Sequence, residues 1–182
     1  FYTPKEVVQL LVQLIKPVAG NSIYDPTCGS GGMLIESAHY IAKNGGMLGE
    51  YVDCTLKGQE KNLGTWAVCK INMIVHNFKD SDIRKGDTLG SPKHIINCEL
   101  ETFDRVIANP PFSLSNWWEA AEVDIKNDAK GNPITPKYND LVSDEYGRFK
   151  YGIPPRSYGD LAFLQHMLSV LKQNGKMGIV LP

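Results

Sequence analysis

The chain has 182 residues, enough for one ordinary domain and too few for two of typical size. Its composition, 42% hydrophobic and 21% charged, supports a packed core and argues against global disorder, and no apolar run approaches the roughly 20 residues of a membrane-spanning helix. Lys plus Arg is 19 and Asp plus Glu is 20, so the net charge of -1 excludes a strongly basic nucleic-acid glove at the level of the whole chain.

At the start of the chain, Thr3 is expected to cap a helix that begins with Pro4 and Lys5, with Glu6 three residues on completing a capping box. Val7, Val8, Leu11, Val12, Leu14 and Ile15 form its apolar face, and Pro17 and Gly20 end it. Ser22–Asp25 is a short first strand. The turn Pro26-Thr27-Cys28-Gly29-Ser30-Gly31-Gly32 leads into a helix over about 32–43, and 44–51 reads as a loop. Residues 53–59 form a second strand ending near Glu60, and 62–78 carry helical periodicity. Asp82–Arg84 is a brief third strand running into Gly86-Asp87-Thr88-Leu89. Phe103–Ala108 is an apolar fourth strand that meets Asn109-Pro110-Pro111-Phe112. Residues 113–159 are polar, rich in Asn, Asp, Pro and Gly, and hold no sustained period. A stretch of that kind within a compact domain is usually functional or mobile. A helix is expected over 160–173, closed by Asn174-Gly175, and a fifth strand over 176–181. The chain lacks an initiator Met, opens inside a motif and stops at Pro182 directly after a strand, so it reads as a fragment of a longer polypeptide. FYTPKEVV carries no signal-peptide pattern, and a cytoplasmic location is expected. Cys28, Cys54, Cys69 and Cys98 form no C-x-x-C pair and sit beside no His at zinc-finger spacing, so free thiols and no metal are expected.

Short strands alternating with helices imply an α/β fold, a doubly wound and mostly parallel sheet with right-handed crossovers and helices on both faces. Ligands in such sheets sit beyond the carboxyl ends of the strands, at the topological switch. The polar motifs all fall at those ends: Asp25 and its glycine turn, Glu60, Asp87 and Asn109. The glycines at 29, 31 and 32 allow a tight turn and close ligand approach, and the following helix presents free N–H groups and a positive dipole end. Leu34 stands where a dinucleotide fingerprint needs glycine, and no Gly-Lys-Ser/Thr follows. A ligand-free strand–helix turn is the competing reading. Glu60 can accept hydrogen bonds from the two hydroxyls of a ribose or be a solvated strand-end side chain, and Asp87 can accept from an adenine amino group or merely close a Gly-Asp turn. In Asn109-Pro110-Pro111-Phe112 the prolines stiffen the backbone. The Asn109 side-chain oxygen and the Pro110 carbonyl then form two acceptors in fixed geometry, matched to the two hydrogens of an exocyclic amino group, and Phe112 offers a flat face for a base. Here the competing reading is a proline-rich strand exit with a core Phe.

Asp25–Gly32, Asn109–Phe112 and Phe1-Tyr2-Thr3-Pro4 together resemble the amino-methylating DNA adenine methyltransferases, and most closely the modification subunit of type I restriction–modification systems. The resemblance spans essentially the whole chain. It implies a Rossmann-like, S-adenosylmethionine-dependent methyltransferase fold, truncated after the fifth strand, and a single catalytic domain over 1–182 with a long polar loop at about 113–159. It implies S-adenosylmethionine as donor and adenine N6 in double-stranded DNA, flipped out of the helix, as acceptor. The methionine end would be held by Phe1, Tyr2, Thr3, Pro4 and Lys5 and by Asp25, Thr27, Gly29, Ser30, Gly31 and Gly32; Glu60 would hold the ribose and Asp87 the adenine. Asn109 and Pro110 would bind the target amino group and Phe112 would stack on its ring. Partners would be a specificity subunit and a restriction subunit. Methylation of a protein glutamine or an RNA base, or a non-catalytic donor-binding module, are the alternatives. The 113–159 segment has six Lys/Arg (Lys126, Lys130, Lys137, Arg148, Lys150, Arg156) against seven Asp/Glu, so it is no basic clamp. Trp117, Trp118, Tyr138, Tyr146 and Tyr151 remain candidates for base contact. None of His39, His76, His94 and His166 is expected to be catalytic.

Overall fold

The computed structural model describes residues 3–118 and 144–182. In chain order the elements are α1 (Lys5–Ile15), β1 (Asn21–Asp25), α2 (Gly32–Lys43), β2 (Met47–Leu48), β3 (Tyr51–Val52), β4 (Cys54–Glu60), α3 (Leu63–Val75), β5 (Asp82–Lys85), β6 (Ile95–Ile96), β7 (Glu99–Leu100), β8 (Phe103–Ala108), α4 (Asp160–Ser169) and β9 (Leu171–Ile179). Five strands form one sheet in the order β5-β4-β1-β8-β9, and every pairing in it is parallel. The chain builds outward from β1 on one side through β4 and β5. It then returns to add β8 and β9 on the other side. The topological switch is therefore the crevice between β1 and β8, which pair through Ile23 with Arg105 and Tyr24 with Val106.

The two-residue period of the strands sorts the core into layers. Ile23, Leu56, Ile83 and Ile107 face one side, against Val8, Val12 and Ile15 of α1, Leu34, Ala38 and Ile41 of α2, and Cys69 and Met73 of α3. Tyr24, Val106 and Ala108 face the other, against Met167 and the adjoining Val170 at the end of α4, and Phe103, of the same parity as Ile107, joins them across the register shift between Phe103 and Arg105. Helices thus cover both faces, as the alternating pattern implies. A third cluster, Leu89, Trp117, Phe149, Ala162 and Phe163, joins the segment after β8 to α4 and to the loop after β5.

Several local expectations are corrected. Thr3 does not cap α1; Pro4 is the N-cap residue, and no side chain caps the helix. The expected 44–51 loop contains the β2–β3 hairpin. α3 is shorter than the 62–78 periodicity: Asn62 caps it by accepting the Thr65 N–H, and Asn77 turns left-handed (φ 64) while Phe78 N–H bonds back to Met73. The β6–β7 hairpin has no counterpart in the sequence pattern. The α4 helix ends at Ser169 rather than 173, and β9 begins at Leu171. Leu171 continues the helical spacing, but Phe103 N–H bonds to the Val170 carbonyl and Leu171 pairs with Phe103. Strand pairing overrides the local period. The register then jumps to Arg105 opposite Lys176, so 172–175 form an irregular bulge. Trp117 is a core residue, 3% exposed, whose indole N–H bonds to the Pro155 carbonyl, and not a base-contacting aromatic. Phe1, Tyr2 and Tyr138 lie outside the described residues. Among the described residues, no helix is long and apolar enough to cross a membrane.

Candidate functional site

The glycine turn begins where β1 ends. The Asp25 carboxylate accepts the Thr27 N–H at 2.9 Å, and the Cys28 N–H reaches the carbonyl of Gln59 on β4. Gly29 (φ 53) and Gly31 (φ 86) take left-handed backbone that other residues resist. At Gly31 there is a second constraint: a Cβ would lie 2.6 Å from the Met73 methyl and 2.9 Å from the Cys69 sulfur. The turn therefore sits directly on α3. Gly31 also stands at the N-cap of α2, with no side-chain cap and no acidic residue in the first turn. The positive end of α2 opens toward the strand ends.

Glu60 closes this turn from the neighbouring strand. One carboxylate oxygen accepts the Gly29 N–H at 3.1 Å, and the other accepts the Asn62 N–H at 2.7 Å. A carboxylate offers about four lone-pair sites, so each oxygen keeps one for an external donor. Asp87 lies beyond β5. One of its oxygens accepts the Leu89 N–H at 3.1 Å, and the other takes the Lys61 ammonium at 2.7 Å. That ion pair is solvent-exposed and weakly held. Thr88 donates its hydroxyl to the Pro26 carbonyl, and the Asn72 side-chain amide donates to the Ser30 carbonyl. Turn, strand ends and α3 are thereby tied into one rim.

Burial pushes the Asp25 carboxyl up to about 7; the Thr27 N–H opposes that shift and the Glu60 charge adds to it. Asp25 is 2% exposed, so its charge state near neutrality depends on what lies beside it. The Cys28 thiol is pushed up by its contact with the Cys69 sulfur at 3.8 Å and by burial, which makes it a poor nucleophile. His166 is held down to about 3 by burial and by the Arg148 charge. His94 is buried with its Nε2 on the Gly58 carbonyl and is lowered by burial. Both are neutral core groups.

Asn109 follows β8, next to the strand that launches the glycine turn. Its side-chain nitrogen donates to the Thr3 hydroxyl at 3.0 Å. Its side-chain oxygen is buried and has no hydrogen-bond partner among the described residues. Pro110 is buried, while Phe112 is 48% exposed and leaves a ring face open. The Ser113 N–H bonds to the Asp160 carboxylate at 3.0 Å, which anchors the exit from this segment on α4. A buried acceptor without a donor is uncommon, because it forfeits its solvation without return.

The structure thus brings Asp25, Thr27, Gly29, Ser30, Gly31, Gly32, Glu60, Asp87 and Asn109–Phe112 to the carboxyl ends of β1, β4, β5 and β8, with Thr3 reaching Asn109 from the N-terminal segment. Pro4 and Lys5 are exposed at the start of α1. No sequence motif singles out Thr88 or the guanidinium of Arg148. Arg148 is buried, pairs with Asp144 at 2.9 Å and donates to the Thr88 and Leu89 carbonyls. These two carbonyls lie about sixty positions away, a separation no local pattern reveals.

Compared with known proteins, residues 1–182 match the N-6 DNA methylase family over their whole length. The chain belongs to the N-6 DNA methylase family. Among curated relatives, the methylase subunit of the type I restriction enzyme HindI from Haemophilus influenzae is 31% identical, over 100% of this chain and 34% of the relative. The MpnII methylase subunit from Mycoplasma pneumoniae is 35% identical, over 99% of this chain and 31% of its own length. In a solved structure, the type I restriction–modification methyltransferase subunit from Streptococcus thermophilus superposes with a TM-score of 0.72 at 30% identity, covering 100% of this chain and 34% of that one. The N-6 DNA methylase chain therefore spans about a third of the length of these relatives.

Proposed function

We propose that the protein transfers a methyl group from S-adenosylmethionine to the N6 amino group of adenine in DNA, as the modification subunit of a type I restriction–modification system, with residues 1–182 forming its catalytic domain. The observation that carries the reading is the side-chain oxygen of Asn109 at the switch-point crevice, buried and without a partner among the described residues. Family membership and relatives named as type I methylase subunits support the donor, the acceptor and the biological setting.

The residues present fit such a donor. A cationic amino-acid end suits the Asp25 carboxylate, its carboxylate suits the uncapped start of α2, and a ribose diol suits the free lone pairs of Glu60. Asp87 would take the adenine amino group by giving up its exposed contact with Lys61. When bound, the donor supplies an electrophilic methyl on a sulfonium. The protein's own part is to prepare the nucleophile. An aromatic amine holds its lone pair in the ring. Acceptors on both hydrogens, the Asn109 oxygen and the Pro110 carbonyl, favour a pyramidal nitrogen whose lone pair is available. Phe112 orients the ring by stacking. Positioning and fixed dipoles supply the rate, and among the described residues the site contains no side chain poised as a strong base. The near-neutral chain is suited to a subunit that leaves grip and sequence choice on DNA to a specificity subunit, beside a restriction subunit.

The test is labelled-methyl transfer by the full-length protein in its native assembly, offered DNA, RNA and protein acceptors. Label is expected at adenine N6. Asn109→Ala is expected to lower transfer roughly a hundredfold or more while donor affinity stays within about twofold. Label on RNA or protein, or equal loss of donor binding and transfer, would overturn the reading.

A further inference from the structure

Two consecutive peptide groups fix the plane of the Asp87 carboxylate. Its Oδ1 accepts the Leu89 N–H at 3.1 Å and the Gly90 N–H at 3.4 Å. Its Oδ2 meets the exposed Lys61 ammonium at 2.7 Å, and the side chain is 31% exposed, so this oxygen faces the open rim. The carbonyl ends of the same two peptide groups are gripped by one residue. Arg148 Nη1 donates to the Thr88 carbonyl at 3.0 Å and Nη2 to the Leu89 carbonyl at 2.7 Å. A guanidinium carries donors only, so the sense of these bonds is fixed. Arg148 is buried, and its Nε–H on Asp144 at 2.9 Å holds the fork in place. A cation on the oxygen end of a peptide group polarises it and strengthens the N–H at the other end. Guanidinium and carboxylate thus sit at opposite ends of one pair of peptide groups. Thr88 also donates its hydroxyl to the Pro26 carbonyl, which ties the same backbone to the glycine turn.

We propose that Arg148 is a positioning residue for donor binding: through these two peptide groups it holds the Asp87 carboxylate with Oδ2 outward, toward the 6-amino group of the donor's adenine. This rests on the proposed role of Asp87 and deepens it, because recognition of the base then depends on a residue sixty positions beyond Thr88 in the chain. Without the fork, the two N–H groups are free to turn, and Asp87 keeps its charge but loses its aim.

The experiment compares two ligands by calorimetry on the full-length protein in its native assembly. One is S-adenosylhomocysteine, the donor without its methyl group. The other is S-inosylhomocysteine, whose 6-oxo group puts an acceptor where the amino donor was. The parent is expected to prefer the amino compound roughly tenfold or more. Arg148→Lys keeps the charge and removes the fork. It is expected to bind the amino compound about tenfold more weakly and the oxo compound within about twofold of the parent, so the preference falls below about threefold. A merely structural arginine would weaken both ligands alike, and an unchanged preference overturns the proposal. Arg148→Gln serves as the second variant where the lysine disturbs folding. Amide hydrogen exchange of the parent needs no variant: the amino compound is expected to slow exchange roughly threefold or more at both 88–90 and 144–149, and protection confined to 88–90 overturns the proposal. Asp87→Asn separates this role from the reading beneath it. A preference absent from the parent, or one that survives Asp87→Asn, overturns the role of Asp87 itself. A preference lost in Asp87→Asn and kept in the Arg148 variants overturns the role of Arg148 alone.

Discussion

Replacing Glu60 by Gln changes one atom and removes one charge, and the geometry of the glycine turn sets the cost. The carboxylate takes two backbone donors, the Asn62 N–H at 2.7 Å and the Gly29 N–H at 3.1 Å. An amide has a single oxygen. It will keep the shorter bond, and its NH2 will then face the Gly29 N–H, donor against donor. The glycine turn loses a charge-assisted bond, worth roughly 1.5–3 kcal/mol, and the lone pair offered to a ribose hydroxyl on that side disappears as well. Donor affinity should fall by about 1–3 kcal/mol, roughly 5- to 150-fold, because binding must now also reorder the turn. Calorimetric titration of the donor measures this, and thermal melting of the ligand-free protein reports the loss at the turn separately. Affinity within twofold of the parent, with an unchanged melting temperature, would refute both the clamp and the ribose assignment. A lowered melting temperature with unchanged affinity would leave Glu60 a structural clamp alone.

Gly31→Ala should cost roughly 2–4 kcal/mol in urea unfolding, since it adds left-handed strain to overlap with Met73 and Cys69; Gly29→Ala, whose nearest contact is 4.0 Å away, should cost only about 1 kcal/mol. Equal costs would show that the fit against α3 is not limiting. Asp25 titrates at about 7 when folded against 3.8 when free, so its contribution to stability is fully present below the free value and is lost as pH rises through 7. Binding of a cationic donor runs the other way: affinity should rise by at most tenfold per unit as pH approaches 7 and level off above it, and Asp25→Asn should flatten the curve. A profile of the parent that is flat across that range would remove Asp25 from the donor's charged end. Arg148→Met strands Asp144 and two buried carbonyls and should cost about 3–5 kcal/mol, visible as a lower melting temperature; a cost under about 1 kcal/mol would mean that water replaces the guanidinium.

Short-range pattern encodes the part of the molecule that is legible in the chain. Apolar runs mark β1 and β8, glycines mark the turn after Asp25, and proline stiffness marks Asn109–Phe112. The parallel order follows from strands alternating with helices, and with it the gathering of Asp25, Glu60, Asp87 and Asn109 at one end of the sheet. Illegible are the contacts decided at a distance. Thr3 carries a helix-capping signal, yet its hydroxyl goes to Asn109. Leu171 has helical spacing, yet pairs with Phe103. The β6–β7 hairpin turns on Asn97 and Cys98, both at positive φ, and without a glycine there the turn leaves no mark. Position alone points Glu60 at a ligand. Its service to Gly29 and Asn62 becomes visible only when the two strand ends stand side by side.

The Trp117 and Phe149 rings meet edge to face, their centroids 5.3 Å apart, and both belong to a single aromatic cluster. Two segments distant in the chain are thus riveted ring against ring. Held by this contact, the segment after β8 and the stretch that leads into α4 behave as one body, so shortening either ring should loosen both together.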